Sequence, residues 1–569
     1  MYAPTPARLK TIHAAGQRDG WLPQVADLRN AAMVAYERDK LQAAEAWFHV
    51  YRWAQLWGQD ETEFAGQWVR AVNELQVGHA NLSPPSPRRS RPVGAALSPE
   101  LQGWLLGNVA FAKEFFGLFS SVDYLPRVFE ILGQLHQRDP AKFKLHASLA
   151  LAIALVYDVA PPPVWPHAQV APAALPRKLP NPVEAFAWWI KQEQLGRTYH
   201  SLARLSAEDL KFVVDTPAPW TELEWSQQAS PHTLAQLAAT YGMVGYRTER
   251  VAANALIWPG RSYALPEILK TGGICSDQAY FATQVGKARG VPTLLIYGSG
   301  NDGRHAWFGF LNSSKQWQLD AGRYAEQRFV TGYARDPQTW REFSDHELVF
   351  LSERFRDLPS YRQSRTHADF AQQYLAQGRA PAAAAAARRA VNFERRNQAG
   401  WELLIAAAQR EGRDARTIEN LLREAALAFQ RYPDLQTLYV NRTAASLRAR
   451  GETSAATAEE RRIATHYQGT RVDLSVQQAS AELRRAMAGQ PLAEQLRVYN
   501  QILDTSGRGA GIAFFDLVVA GFAEHLLQLG KKAEANRAVE RARQNLKIEP
   551  NSQLAREFEA LAKRVREAK

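Results

Sequence analysis

The 569-residue chain is too long for one hydrophobic core, which points to about two to four domains. Its 46% hydrophobic and 22% charged residues exclude a fibrous or wholly disordered protein, and its single cysteine, Cys275, excludes an intrachain disulfide and any zinc site built on two thiolates. The formal charge of +12 is spread along the chain without a dense basic block (RRSRP at 88–92 lies in a linker-like stretch), so nucleic acid is not an expected partner.

The first thirty residues hold no apolar run of signal-peptide length, and a lone cysteine does not fix a redox compartment, so cytoplasmic and periplasmic placements both stay open. Residues 1–80 carry helical spacing. Ala43, Trp47, Tyr51 and Ala54 form one stripe and Trp53 with Trp57 widens it, the pattern of a helix–helix core. NLSPPSPRRSRP, inside 81–97, is proline-rich and aperiodic, and predicts a linker. A helical region is expected over 98–239. Its most apolar text, HASLALAIALVYDVAPPPVW at 146–165, is too short to span a bilayer and predicts a buried helix stopped by proline, so no transmembrane segment is expected. TPAPWTELEW at 216–225 predicts a helix start capped by Thr216 or Thr221. Between 240 and 335 the pattern changes to a short helix and three strand-like runs, VPTLLIY (291–297), HAWFGFL (305–311) and QWQLD (316–320). A connector over 336–365 then leads to an alanine-rich helical region, 366–569. The fold class expected is therefore α+β, a small domain with an antiparallel sheet embedded between extensive helical regions.

The last region repeats. Gly378 is followed by Ala383 and Ala390, Gly412 lies 34 residues beyond Gly378, each of the two glycines precedes an arginine, and Gly530 restores the offsets with Ala535 and Ala542. This resembles the tetratricopeptide family, whose helical hairpins pair small residues at close helix approaches. Gly451, 39 residues after Gly412, departs from the period, so an irregular solenoid is expected, with ordinary helical hairpins as the alternative. The resemblance implies a protein partner on this arm and no catalytic side chain from it.

The text from 268 to 324, ILKTGGICSDQAYFATQVGKARGVPTLLIYGSGNDGRHAWFGFLNSSKQWQLDAGRY, carries the chemistry. Gly272 and Gly273 supply a turn, and SDQAYFATQVGKARG predicts a helix closed by Gly290. Cys275 then sits in the first helical turn, where unpaired N–H groups and the helix dipole favour a thiolate. A two-residue turn at Asn312 and Ser313 would pair Leu311 with Ser314, Phe308 with Trp317, and His305 with Asp320. That arrangement would give a nucleophile, a base and a carboxylate to orient the base. Asp277 is expected to cap the helix or form an ion pair near its start. The glycines of GSGNDGR lie between strands without a lysine–serine pair, which excludes a phosphate loop, and HAWFG is not a zinc-protease motif.

These residues resemble the transglutaminase-like superfamily, with its cysteine matched by Cys275 in GGICSDQAY, its histidine by His305 in GRHAWFGF and its aspartate by Asp320 in WQLDAGRY. The resemblance implies acyl transfer on an amide of a protein, peptide or peptidoglycan-like substrate through a thioester, without cofactor or metal. Hydrolysis is expected ahead of transfer to an amine, and an inactive interaction scaffold is the third option. It also implies an oxyanion donor. The Cys275 N–H is one candidate, Trp258 in ALIWPGRSY offers an indole N–H, and Tyr263 is a weaker third.

Overall fold

The computed structural model describes residues 2–75, 90–299, 303–323, 332–467, 471–506, 511–546 and 548–568. Most of them are helical, and four strands form one sheet in the order β3-β2-β1-β4, where β1 is Thr293–Ser299, β2 Arg304–Leu311, β3 Trp317–Ala321 and β4 Gly332–Ala334. The chain divides into two compact units. The first comprises Met1–Leu295, Trp307–Gly322 and Ala334–Phe343, and the second Ile296–Ala306, Arg323–Tyr333 and Ser344–Lys569.

The regions expected at 1–80, 98–239 and 240–335 all contribute residues to the first unit. In the first unit, polar bonds join residues of these regions. The Trp68 indole donates to the Val122 carbonyl (2.7 Å), and Gln338 Nε2 donates to the Leu118 carbonyl (2.9 Å) and to Asp123. Of the proline-rich stretch, residues 81–89 lie outside the described residues. The part at 93–96 is a short 3-10 turn with Val93 buried. The aromatic stripe is buried as expected in the helix Leu41–Gly58, where Trp53 stacks on Trp57 at 5.1 Å between ring centres. Ala147–Val156 is a helix whose residues from Leu149 to Val156 are all buried, the outcome its unbroken apolar text predicts. The Trp220–Ala229 helix takes neither expected threonine as its cap; it follows Pro219, while Thr216 donates to Gln284 Oε1 (2.6 Å).

The second unit is built on helical hairpins. Pro359–Ala376 pairs with Ala380–Phe393, Gln398–Arg410 with Ala415–Ala428, Pro433–Ala449 with Thr453–Tyr467, and Val472–Gly489 with Leu492–Ser506. A fifth first helix, begun at Gly511 and carrying a π-helical stretch at Phe515–Ala520, precedes Lys532–Asn545, and Gln553–Glu567 follows. First helices therefore begin at 359, 398, 433, 472 and 511, a step of 35–39 residues, and the array opens at Pro359 rather than at 366. Gly378, Gly412, Gly451 and Gly530 sit in the turns inside hairpins with φ between +70° and +84°, a conformation that disfavours any Cβ. Gly511–Gln528 is the one stretch among the described residues long and apolar enough to cross a membrane. Phe514, Phe515, Val518, Val519, Phe522 and Leu526 bury it in the core shared by the last hairpins. In the same unit, Arg304 donates from Nη2 to both oxygens of Asp516 (2.9 and 2.8 Å) and from Nη1 to Glu557 Oε1 (3.1 Å). Its backbone N–H reaches Gln553 Oε1 (3.0 Å).

Candidate functional site around Cys275

Cys275 is the first residue of the helix Cys275–Ala288, preceded by Ile274 in an extended conformation, and is partly exposed. The two glycines before it have separate reasons. Gly272 has φ +76°, and a Cβ there would stand 2.6 Å from the Gly245 carbonyl oxygen; a Cβ on Gly273 would stand 2.3 Å from that of Asp277. The turn is gripped from one side, with Gly273 N–H donating to the Gly245 carbonyl and Arg247 N–H to the Gly273 carbonyl, each at 2.9 Å. The first amides of a helix have no acceptor inside it, and the dipole there favours an anion such as a thiolate.

Asp277 fulfils both expected roles. Its buried carboxylate accepts from the Ile274 N–H (2.8 Å), capping the helix, and from Arg250 Nη1 (2.8 Å) as an ion pair. It also accepts from the Tyr263 hydroxyl at 2.7 Å. The single Tyr263 proton is thereby spent, so His167 Nε2–H donates to the Tyr263 oxygen (2.9 Å). Burial, aided by the Arg177 charge, pushes the His167 pKa down to about 3 and keeps the ring neutral. Arg250 completes the anchor by donating to the carbonyls of Leu256 (3.3 Å) and Ile257 (3.2 Å), with its guanidinium 5.6 Å from the centre of the Trp258 ring. Neither Arg250, 27 residues before Asp277, nor His167, 96 before Tyr263, carries a local sequence signal for this network.

His305 is buried on β2, and Asp320 is exposed on β3. The hairpin between them turns through three residues, not two. Asn312 N–H donates to the Gln316 carbonyl, and Lys315 takes φ +55°, which pairs Leu311 with Trp317 and Phe310 with Gln318. The register then slips, so that Phe308 faces Ala321, leaving Leu319 and Asp320 opposite Gly309. Gly309 makes this bulge feasible, since a Cβ there would lie 2.8 Å from the Leu319 side chain. The expected direct opposition of His305 and Asp320 is therefore not formed. Trp258 is corrected as well: its indole N–H donates to the Ser262 carbonyl (2.9 Å), which commits it to packing rather than to an oxyanion. Among the described residues no group of three or more His, Cys, Asp or Glu is placed to hold a metal.

No family model matches the chain. No curated protein matches it either. Among solved structures, the crystal structure of yeast Tom70 aligns with 96% of this chain and 96% of its own length, at 12% identity and a TM-score of 0.24. A likeness of that depth carries no argument about fold or function. None of these comparisons bears on the transglutaminase-like resemblance, and the site is understood from its own geometry. Cys275 opens a helix over a turn held by the Asp277–Arg250 ion pair.

Proposed function

We propose that the chain is a helical-repeat interaction scaffold for a protein partner. The observation that carries this is the run of five hairpins from Pro359 to Asn545 followed by Gln553–Glu567. Stacked hairpins bury a continuous core and leave series of exposed positions on their first helices, here including Gln372, Ala445 and Gln477. The tetratricopeptide-like spacing agrees with that reading. A photo-crosslinking residue at each of these three positions of the full chain is expected to capture one and the same partner. Ala385 and Leu427, exposed on second helices, serve as the comparison. Adducts at neither set, or equally at both, would sink the scaffold.

A second reading rests on one observation, the partly exposed Cys275 at the start of its helix. In it the thiolate attacks an amide carbonyl and the amine leaves with a proton from a general acid; the transglutaminase-like resemblance gives that role to His305, with Asp320 as its carboxylate. Water, or alternatively an amine, then releases the thioester. Alkylation of the only thiol across pH separates the readings. Fast reaction persisting well below about pH 8 supports an activated thiolate, and ordinary thiol behaviour leaves the scaffold alone.

A further inference from the structure

The first unit contains a groove of about 820 Å³ between the helix Leu125–Arg138 and the turn and helix start at 95–100. Gly133 lets the two walls approach, since a Cβ there would meet the Ala96 carbonyl oxygen at 2.5 Å. His136 lines the groove with only 3% of its surface exposed. Its Nε2 has no hydrogen-bond partner among the described residues and stands 3.7 Å from Glu100 Oε1. Three carboxylates, Glu61, Glu100 and Glu130, share the lining with one cation, Arg91, so the groove is locally acidic in a chain of net charge +12.

The pairing of those carboxylates decides what the groove can take. Glu61 is buried and already bound to Arg91 at 2.7 Å, which leaves the groove no spare cation for an anionic ligand. Glu100 is answered by Lys144 (3.3 Å) and Glu130 by Arg127 (2.8 Å), both from outside the lining, and the two carboxylates are 65% and 39% exposed. Ion pairs at such exposure are weak, so an incoming cation can replace either one. Burial, opposed by Glu100, lowers the His136 pKa, so the ring adds no second positive charge to the groove. A metal ion is a poor match, because these groups are not gathered at coordination distance.

We propose that this groove binds an organic cation, a primary amine or a guanidinium, with Glu100 and Glu130 balancing its charge and His136 Nε2 accepting one of its hydrogen bonds. The same chemistry is offered by a free polyamine and by a lysine side chain of another protein. Calorimetric titration of the full chain at low salt with spermidine, and separately with a short lysine-rich peptide, distinguishes the two sources. Binding of either probe is expected, and the tighter one names the source. Glu100→Gln with Glu130→Gln is expected to weaken it by about tenfold or more, and His136→Leu by about tenfold through the lost charge-assisted bond. Urea midpoints close to wild type would show that the variants remain folded. No heat from either probe up to about 10 mM, or equal binding by the double variant, would overturn the proposal. If His136→Leu alone unfolds the unit, the exposed glutamate pair decides.

Discussion

Replacing His167 by glutamine is expected to flatten the acid limb of the first unit's stability. The wild-type ring donates from Nε2 to Tyr263, and its Nδ1 has no partner among the described residues, so a proton added there would be a buried, unpaired charge. The folded-state pKa of about 3 lies below the value of about 6.5 for the unfolded chain. The sign follows from proton binding: the unfolded state takes up the proton first. The stabilisation is therefore complete above about pH 6.5 and is lost as pH falls toward 3. Each unit in that window costs about 1.4 kcal/mol, so going from about pH 7 to 5 removes about 2 kcal/mol through this one group. Glutamine keeps a donor for the Tyr263 oxygen and does not titrate, so that increment should vanish. Tryptophan fluorescence in urea reports the right unit, because of 16 tryptophans all but Trp401 lie in segments of the first. An identical loss between about pH 7 and 5 in both proteins would refute the reasoning.

Gly286→Ala should destabilise the same fluorescence-detected transition by about 1–3 kcal/mol, because the new methyl would meet Thr293 Cγ2 at 2.4 Å inside the Cys275 helix packing. Lys287→Met should cost about 3–5 kcal/mol there. The buried ammonium donates to Asp215 and to the carbonyls of Phe212 (2.6 Å) and Thr293 (3.0 Å), and its loss strands the Asp215 carboxylate. Gly412→Ala is the contrasting case: nothing lies within 4 Å of its Cβ, and only the φ of +70° is strained. Hydrogen exchange across 398–428 should register a loss of about 1–2 kcal/mol, and no change would deny the left-handed turn its role.

Much of the helical framework is legible in the text because it is written locally. The Trp53–Trp57 stripe, the apolar run at 147–156 and the glycines at 378, 412, 451 and 530 each act within one or two helical turns. Three strands are legible for the same reason, whereas Gly332–Ala334, three residues long, is too short to display a period. The hairpin register is not legible. It depends on Lys315 accepting a left-handed conformation and on Gly309 yielding to Leu319, neither of which alternation reveals. The glycine pair before Cys275 signals a turn, but not that Gly273 leaves room for Asp277, nor that Arg250, Tyr263 and His167 converge on it. Long-range polar networks leave no periodic trace, since each member is one residue in otherwise ordinary helix or loop.

The Arg304 cluster bears on how the chain is made. Its acidic partners come 212 and 253 residues later. At roughly 5–20 residues per second, a ribosome would deliver Glu557 on the order of tens of seconds after Arg304. Through that interval Arg304 lacks the carboxylates that hold it, and closing so long a loop must await the Gln553–Glu567 helix. A nascent chain that stops before the Gln553–Glu567 helix leaves the Arg304 guanidinium without Glu557 and its backbone N–H without Gln553.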